Sequence, residues 1–278
     1  MSKNDPQIAI IGDGKMGRTI AQMVQERGWA VCAMLDSAHN RGGKGIARRA
    51  LGDPDVAIEF TKPEAALDNI LACIESAIPV VVGTTGWYES LPMVTEEAKR
   101  ADTGLLWSPN FAVGVNLFVE LTRRAGELMG LAPEFAGALI ETHHSAKKDA
   151  PSGTALAIVN AMEKGLGKRI PVTSVRTGSV PGTHEVIFDS TYEQMTLRHE
   201  ARDRRVFADG ALRATVSSTS DSVHSGFIVS APQDQTSLLQ TPLGFARFRV
   251  TFTNPGVYPY ICALHDNLGM KGTIIVLP

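Results

Sequence analysis

One short segment, ETHHSAKKDAPSGTA, holds the residues best suited to acid–base chemistry. His143, His144 and Lys147 bring positive charge beside a predicted helix N-terminus. Neighbouring cations lower the pKa values of histidine and lysine, which makes them better proton donors near neutral pH. Backbone N–H groups around Gly153 and Thr154, at that N-terminus, favour a carboxylate. The segment therefore predicts a site that binds a dianionic substrate and protonates it.

The alternatives for this segment are a metal site and a solvated basic loop. His143 and His144 are adjacent on a predicted strand. Successive side chains of a strand point to opposite faces, so we do not expect one metal ion to bind both imidazoles.

A glycine-rich turn follows the first predicted strand, QIAIIG. In a G-x-G-x-x-G pattern the glycines permit a tight turn, a close approach to a pyrophosphate and helix–strand packing. Asp36 ends the second predicted strand, 19 residues after Gly17, where a carboxylate binds the adenosine ribose and repels a 2′-phosphate. NADH is therefore favoured, with NADPH as the alternative because Lys15, Arg18 and Arg41 supply positive charge. The predicted pyrophosphate contacts are Gly12, Asp13, Gly14, Lys15, Met16 and Gly17.

The C-terminal region has residues whose spacing is typical of a copper site. Cys262, His265 and Met270 form a Cys-x2-His-x4-Met pattern between two predicted strands, and His224 lies 38 residues before Cys262. A thiolate, two imidazoles and a weak thioether are the ligands of blue copper centres. The tail resembles the end of a plastocyanin-type cupredoxin domain, which implies copper-dependent electron transfer. The alternative is that its strands pair without binding metal.

The elements that must position these residues fall into three regions. Over residues 1–115 short β-branched runs alternate with amphipathic stretches, which favours an α/β, doubly wound, Rossmann-type domain. Residues 116–214 contain two predicted helices and four predicted strands, typical of an α+β substrate-binding domain. A Ser/Thr run from Thr215 predicts a linker, and residues 215–278 a β-sandwich-like tail.

Composition excludes several classes of protein. The 278 residues are 44% hydrophobic and 20% charged, as in globular proteins. The net charge of −2 removes the electrostatic basis for nucleic-acid binding. No apolar run reaches the about 20 residues of a membrane helix, and no signal-peptide core is recognisable, so we expect a cytoplasmic protein. Cys32, Cys73 and Cys262 are too few for a disulfide scaffold, and we expect His39, His184 and His199 to be surface or hydrogen-bonded residues.

Residues 8–214 resemble the dihydrodipicolinate reductase family. The motif E-x-H-H-x-x-K-x-D-A-P-S-G-T-A is specific to that family. Shorter matches support it at Phe60-Thr61, Gly83-Thr84-Thr85-Gly86-Trp87, Ser108-Pro109-Asn110-Phe111, Gly114-Val115-Asn116, Arg176-Thr177-Gly178 and Phe207-Ala208-Asp209-Gly210-Ala211-Leu212.

The resemblance implies a reaction and a role for each matching residue. Hydride from NADH or NADPH would reduce 4-hydroxy-tetrahydrodipicolinate to tetrahydrodipicolinate in lysine and diaminopimelate biosynthesis. His143 would be a proton donor or acceptor and Lys147 a proton donor. His144 would contact one substrate carboxylate, and Gly153 and Thr154 the other. The nicotinamide side would be lined by Gly83, Thr84, Thr85, Ser108, Pro109, Asn110 and Phe111.

The resemblance also implies a homotetramer joined through the sheet of the second domain. It stops at Ala214, where family members continue with a helix and a closing segment that pack on the nucleotide domain. We expect that segment to be absent here, which would leave apolar surface exposed. A related amine or amino-acid dehydrogenase of the same fold is the alternative activity.

Overall fold

The structure is a computed structural model. It describes residues 5–219, with side chains through Thr215, and the backbone of four later strands at 222–225, 248–251, 256–261 and 271–276. The chain divides into two compact units. The first contains the chain up to Phe111 and resumes at Phe207, and the second contains residues 112–206.

The first unit is built on a parallel sheet, as predicted. Its five strands are arranged in the order β2-β1-β3-β4-β5. β3 and β4 are buried at every position, because helices pack on both faces of such a sheet. The strands are β1 (Gln7–Ile11), β2 (Ala30–Leu35), β3 (Val56–Glu59), β4 (Val80–Val82) and β5 (Leu105–Trp107), and the first three helices are α1 (Lys15–Glu26), α2 (Pro63–Glu75) and α3 (Leu91–Arg100).

The second unit is an α+β layer, which confirms the predicted class. Four strands are arranged in the order β7-β6-β8-β9, with β6 and β7 parallel and the other pairs antiparallel. Apolar residues of the two helices pack with alternate strand residues to form one core. The elements are α4 (Val113–Met129), β6 (Ala136–His143), α5 (Gly153–Leu166), β7 (Val172–Arg176), β8 (Gly182–Asp189) and β9 (Gln194–Ala201).

A sixth helix, α6 (Arg205–Thr219), corrects the sequence analysis at the C-terminal end of the family resemblance. Its first turns were expected to belong to the second domain, and the Ser/Thr run from Thr215 to be a linker. Instead α6 continues into that run as far as Thr219, and from Phe207 it is part of the first unit. Its apolar residues pack against the first strands and α1, so the helix completes one core of the first unit. The residues that make this contact are Ala208, Ala211, Leu212 and Ala214.

The described strands of the tail form two separate antiparallel pairs, β10 with β11 and β12 with β13. His224 lies on β10, opposite Arg249. Cys262, His265 and Met270 lie outside the described residues. These four strands are β10 (Ser222–Ser225), β11 (Phe248–Thr251), β12 (Gly256–Ile261) and β13 (Lys271–Val276). Among the described residues, no helix combines the length and apolarity needed to cross a membrane.

Candidate active site

The glycine-rich turn lies at the carboxyl end of β1 and has the form that dinucleotide binding requires. Gly12 has φ +109°, and its N–H donates to the carbonyl oxygen of Leu35 at 2.9 Å. A Cβ on Gly17 would collide with the carbonyl oxygen of Gly12, so both positions need glycine for steric reasons. The turn is therefore held tightly against the first helix.

The space in front of α1 fits a phosphate group. A Cβ on Gly14 would meet nothing within 4 Å, so the backbone is open to a ligand there. No side chain caps the helix, and its first turn contains no acidic residue. Unpaired N–H groups and the helix dipole favour an anion at such an end. Asp13, Gly14 and Lys15 are exposed around it, and Met16 is half-buried.

Asp36 stands at the end of β2 and carries its negative charge at neutral pH. Its Oδ1 accepts the N–H groups of Ala38 at 2.9 Å and His39 at 2.8 Å, and lies 2.8 Å from His39 Nδ1. The hydrogen bonds from His39 hold the pKa of this carboxyl below its usual range. The Asp36 carboxylate therefore stabilises the turn after β2. It also stands at the end of β2, where a carboxylate that binds the adenosine ribose is predicted.

The segment after β4 is tied to the segment after β3. Thr84 is buried, and its Oγ1 accepts the N–H of Thr61 at 2.7 Å. The ring of Phe60 packs directly against Gly83. Thr85 is exposed. In open parallel sheets ligands bind outside the carboxyl ends of the strands, which is where these residues lie.

The segment after β5 forms a compact turn at the same edge. Ser108 Oγ donates to the carbonyl oxygen of Asn110 at 2.9 Å and lies 3.2 Å from the N–H of Asn110. Phe111 is buried and packs on Phe60 with ring centroids 6.1 Å apart. Pro109 is exposed at the tip. The structure therefore brings the predicted nicotinamide-side residues to one edge of the sheet.

A buried polar network behind this edge was not predicted from the sequence. Glu59 ends β3 with no exposed surface, and it accepts hydrogen bonds from the Thr61 hydroxyl and from Asn69 Nδ2, the latter at 3.3 Å. Asn69 Oδ1 in turn accepts from Asn40 Nδ2 at 2.8 Å. Burial raises the pKa of Glu59. The network connects α2 with the loops that follow β2 and β3, around one buried carboxyl group.

In the second unit, His143 ends β6 in a buried, charged environment. Its Nδ1 faces Glu141 Oε2, and Glu141 Oε1 accepts from Arg176 at 2.7 Å. Burial lowers the pKa of His143, against the opposing charge of Glu141. Burial alone would raise the pKa of Glu141, but hydrogen bonds from Arg176 and Ser174, together with the positive charges of His143 and Arg176, keep that pKa low. The imidazole is thus held by a carboxylate that is itself held by a guanidinium.

Lys147 lies on the loop that follows His143. Its backbone N–H donates to the carbonyl oxygen of His144 at 3.0 Å, and its Nζ pairs with Asp149 at 2.8 Å. Lys147 and His144 are both half-buried. The hydrogen bond from Lys147 lowers the pKa of Asp149. The loop therefore presents a paired ammonium group that remains partly accessible.

The N-terminus of α5 carries the predicted carboxylate site. Ser152 is the N-cap, and its buried Oγ accepts the N–H of Ala155 at 3.1 Å. A Cβ on Gly153 would meet nothing within 4 Å, so the space before the first turn is open. Thr154 follows in the first turn and is half-buried. The backbone N–H groups and the dipole at this end of the helix favour an anion.

His184 is a further residue of this cluster. It is only 3% exposed, its ring meets that of His143 edge-on at 5.3 Å and 73°, and its Nε2 lies 3.4 Å from Ser152 Oγ. Burial, together with the charge of His143, lowers the pKa of His184 to about 4. Of the two expectations from the sequence, a surface residue or a hydrogen-bonded one, His184 fits the second. Alternation along β8, where Val186 and Phe188 are also buried, was a signal for its inward position.

Glu141, His143 and His184 offer ligand atoms within 4.8 Å of one another, a spacing that a metal ion can use. Arg176, however, already occupies one oxygen of Glu141, and Lys147 adds a second positive charge acting on both histidines. The positive charges of Arg176 and Lys147 would repel a metal cation bound to these side chains. The donor set fits proton transfer better than metal binding.

The fold, the glycine-rich turn of the first unit and the buried histidine cluster of the second unit together define a class of protein. This class is the two-domain nicotinamide-dependent oxidoreductases. Comparison with known proteins gives the family. Residues 6–111 match the family model for the dihydrodipicolinate reductase N-terminus, and residues 114–228 match that for its C-terminus. The chain belongs to the dihydrodipicolinate reductase family.

Two curated relatives are named 4-hydroxy-tetrahydrodipicolinate reductase. The one from Christiangramia forsetii is 34% identical over 221 residues, which cover 74% of this chain and 90% of that protein. The one from Methanoregula boonei is 34% identical over 233 residues, covering 75% and 90%. A solved dipicolinate-bound dihydrodipicolinate reductase from Paenisporosarcina sp. TG-14 has a TM-score of 0.63 at 23% identity, covering 77% of this chain and 95% of its own, and shows that the fold is shared.

A third family model, for copper-binding proteins of the plastocyanin/azurin family, matches residues 185–277. It overlaps the reductase match from residue 185 to residue 228. The overlap includes most of β8, all of β9 and α6, which belong to the reductase fold, and also β10 of the tail. The first third of the copper match therefore has no separate strands of its own among the described residues.

Proposed function

We propose that this chain reduces 4-hydroxy-tetrahydrodipicolinate to tetrahydrodipicolinate with NADH or NADPH, a step of lysine and diaminopimelate biosynthesis. The observation that carries the proposal is the buried cluster of the second unit. His143 is held by Glu141 and is joined through His184 to Ser152, the cap of an open helix N-terminus. An acid–base group next to a carboxylate site suits a dicarboxylate that must be protonated as it is reduced.

The first unit would hold the cofactor, which supplies the hydride when it is bound. Gly12, Asp13, Gly14, Lys15, Met16 and Gly17 would bind the pyrophosphate, and Asp36 the adenosine ribose. NADH is favoured, because the ionised Asp36 repels a 2′-phosphate. The nicotinamide side would be lined by Gly83, Thr84, Thr85, Ser108, Pro109, Asn110 and Phe111, which lie at the carboxyl ends of β4 and β5.

The second unit would bind and protonate the substrate. His144 would contact one carboxylate, and Gly153 and Thr154 the other. The 4-hydroxyl group of the substrate would leave as water, which gives a conjugated imine. Hydride would add to one ring carbon of that imine and Lys147 would donate a proton to the neighbouring atom, so that substrate, NADH and one proton give tetrahydrodipicolinate, NAD⁺ and water. His143, held in orientation by Glu141, would act as a proton donor or acceptor.

The direct test follows nicotinamide absorbance after the protein is mixed with freshly generated 4-hydroxy-tetrahydrodipicolinate and NADH, and then NADPH. We expect absorbance to fall only when both protein and substrate are present, and faster with NADH. A folded protein that gives no fall would contradict the proposal. Turnover of an amine or amino-acid substrate instead would favour the related dehydrogenase activity.

A pair of glycine variants tests the cofactor site separately. Gly14→Ala adds a methyl group where nothing lies within 4 Å, so it should fold normally but obstruct the pyrophosphate. Gly17→Ala places a methyl group against the Gly12 carbonyl oxygen and should lower stability. Melting curves and NADH fluorescence titrations distinguish the two effects. Normal NADH affinity in a folded Gly14→Ala protein would rule out this turn as the pyrophosphate site.

We propose further that the protein is a homotetramer in the cytoplasm, assembled through the sheet of the second unit. Most residues of β9 are exposed, and next to it Tyr192 is 96% exposed. Met195 adds apolar surface to the same edge strand. An exposed edge strand has unpaired backbone N–H and C=O groups that can pair with another chain, which supports this proposal. Light scattering during size-exclusion chromatography measures the mass, and a monomer would contradict the proposal.

Copper binding by the tail is a second candidate function, supported by the match of residues 185–277 to copper-binding proteins. The proposed ligands are His224, Cys262, His265 and Met270. Addition of Cu(II) should produce a strong visible absorption from the thiolate, and Cys262→Ser should abolish it. A protein that stays colourless with Cu(II) would exclude a blue copper centre.

A further inference from the structure

His184 connects the two parts of the proposed substrate site. We infer that it is a positioning residue, which holds the ring of His143 on one side and the helix cap Ser152 on the other. This inference rests on the proposed function, but the contacts that carry it are a property of the second unit alone. No motif of the sequence analysis assigned His184 a role.

The register of the sheet places His184 in the centre of a polar row. It lies opposite Glu141 on β6 and opposite His199 on β9, so three titratable side chains share one face. His143 lies two residues beyond Glu141 on that same face. A row of polar groups inside a sheet is costly unless they support one another, which indicates a purpose beyond packing.

The contacts of His184 are specific on both sides. Its ring edge meets the ring of His143 with the centroids 5.3 Å apart, a favourable arrangement for two aromatic rings. Its Nε2 lies 3.4 Å from the Oγ of Ser152, which also receives the N–H of Ala155. A shift of His184 would therefore move the acid–base group and the carboxylate-binding helix end together.

His184 is suited to hold a neighbour and not to transfer protons itself. The groups that act on it electrostatically are Glu141, His143, Lys147 and His199, and three of these four oppose a positive charge on its ring. The neutral ring has one N–H donor and one acceptor nitrogen. It can therefore bond to Ser152 without adding a charge next to His143.

Two substitutions separate the two contacts. His184→Phe keeps an aromatic ring against His143 but removes the nitrogen that faces Ser152. His184→Gln keeps a polar group near the position of Nε2 but removes the ring. A merely structural role would make both variants lose the same properties together.

The experiment measures dicarboxylate affinity and the titration of His143 in each variant. Affinity is obtained by calorimetry with pyridine-2,6-dicarboxylate in the presence of NADH, and the titration by NMR of histidine-labelled protein, with the signal assigned by His143→Gln. For His184→Phe we expect affinity to fall by about three- to tenfold, the effect of one lost neutral hydrogen bond, with the His143 pKa unchanged. For His184→Gln we expect affinity to be retained and the His143 pKa to rise as water reaches the ring.

Kinetics with the substrate complete the test. KM should rise in His184→Phe, whereas in His184→Gln the change should be in kcat and in the acid limb of its pH profile. Equal losses in both variants, or no change in folded proteins, would overturn the inference. If the wild type fails to reduce the substrate while the NMR and affinity effects persist, the proposed reaction is wrong and the positioning role of His184 stands.

Discussion

The substitution Ser152→Ala removes the N-cap of α5 at the proposed carboxylate site. Ser152 is 2% exposed, and its Oγ is the acceptor for the N–H of Ala155, a residue with no exposed surface. Water cannot replace the lost acceptor at a buried N–H group. The variant should therefore lose both stability and the ordered first turn that we propose to bind the substrate.

The size of the effect follows from this geometry. Replacement of an N-cap serine by alanine costs about 0.5–2 kcal/mol, and a buried, unsatisfied N–H places this case near the upper end, about 2 kcal/mol. A change of 1 kcal/mol shifts Tm by about 2–4 °C in a protein of roughly this size. We therefore expect Tm to fall by about 4–8 °C.

The assay is thermal unfolding followed by circular dichroism, together with calorimetric titration of pyridine-2,6-dicarboxylate at a temperature at which both proteins are folded. Ser152→Thr is the matched control, because its hydroxyl can still accept the N–H of Ala155 and should keep most of the stability. If the alanine variant melts within about 1 °C of the wild type, the hydrogen bond contributes nothing. If affinity is also unchanged, the end of this helix is not the carboxylate site.

Three other predictions concern single residues. Lys147→Ala should lower kcat by about 10²- to 10⁴-fold, the contribution of a general acid, while NADH fluorescence titration shows unchanged cofactor affinity; near-normal turnover would remove Lys147 from the mechanism. Asp36→Ala should raise the ratio of kcat/KM for NADPH to that for NADH by about tenfold, because a like charge no longer faces the 2′-phosphate; an unchanged ratio would show that Asp36 does not select the cofactor. Burial raises the pKa of Glu59 in the folded protein. The folded protein therefore keeps a proton that the unfolded chain loses above its pKa of about 4.3. As a consequence, wild-type stability falls as pH rises through the folded pKa. Glu59→Gln should therefore gain in Tm relative to wild type as pH rises above the unfolded-state pKa of about 4.3, and parallel pH profiles of Tm would contradict this assignment.

Local patterns allowed most elements of the reductase fold to be predicted. The glycine turn after β1, the buried strands β3 and β4, and α5 with its Ser152 cap and Gly167 end all follow from short-range sequence signals. α3 was not predicted, although its residues form a regular helix on the first sheet. The first turns of α6 were expected to belong to the second domain and the Ser/Thr run after them to be a linker, because a local pattern does not show which core a helix will join.

The candidate site was predicted in part. His143, Lys147 and the helix end at Gly153 are close in sequence, so one motif contains them. Arg176 was quoted only as part of a motif, and its bond to Glu141 crosses from β7 to β6. The partners of Glu59 are Thr61, which is nearby, and Asn69, which comes from α2.

The sequence by itself determined the class of chemistry, because the glycine turn, the acid–base segment and the helix cap are each made of neighbouring residues whose local conformation brings them together. Only the tertiary structure decided which ionisable groups are buried and beside what. His184 lies 41 residues after His143, and antiparallel pairing of β6 with β8 brings it to the same face of the sheet. Burial and neighbouring charge set a pKa, and both depend on chain segments that pack together only in the folded protein.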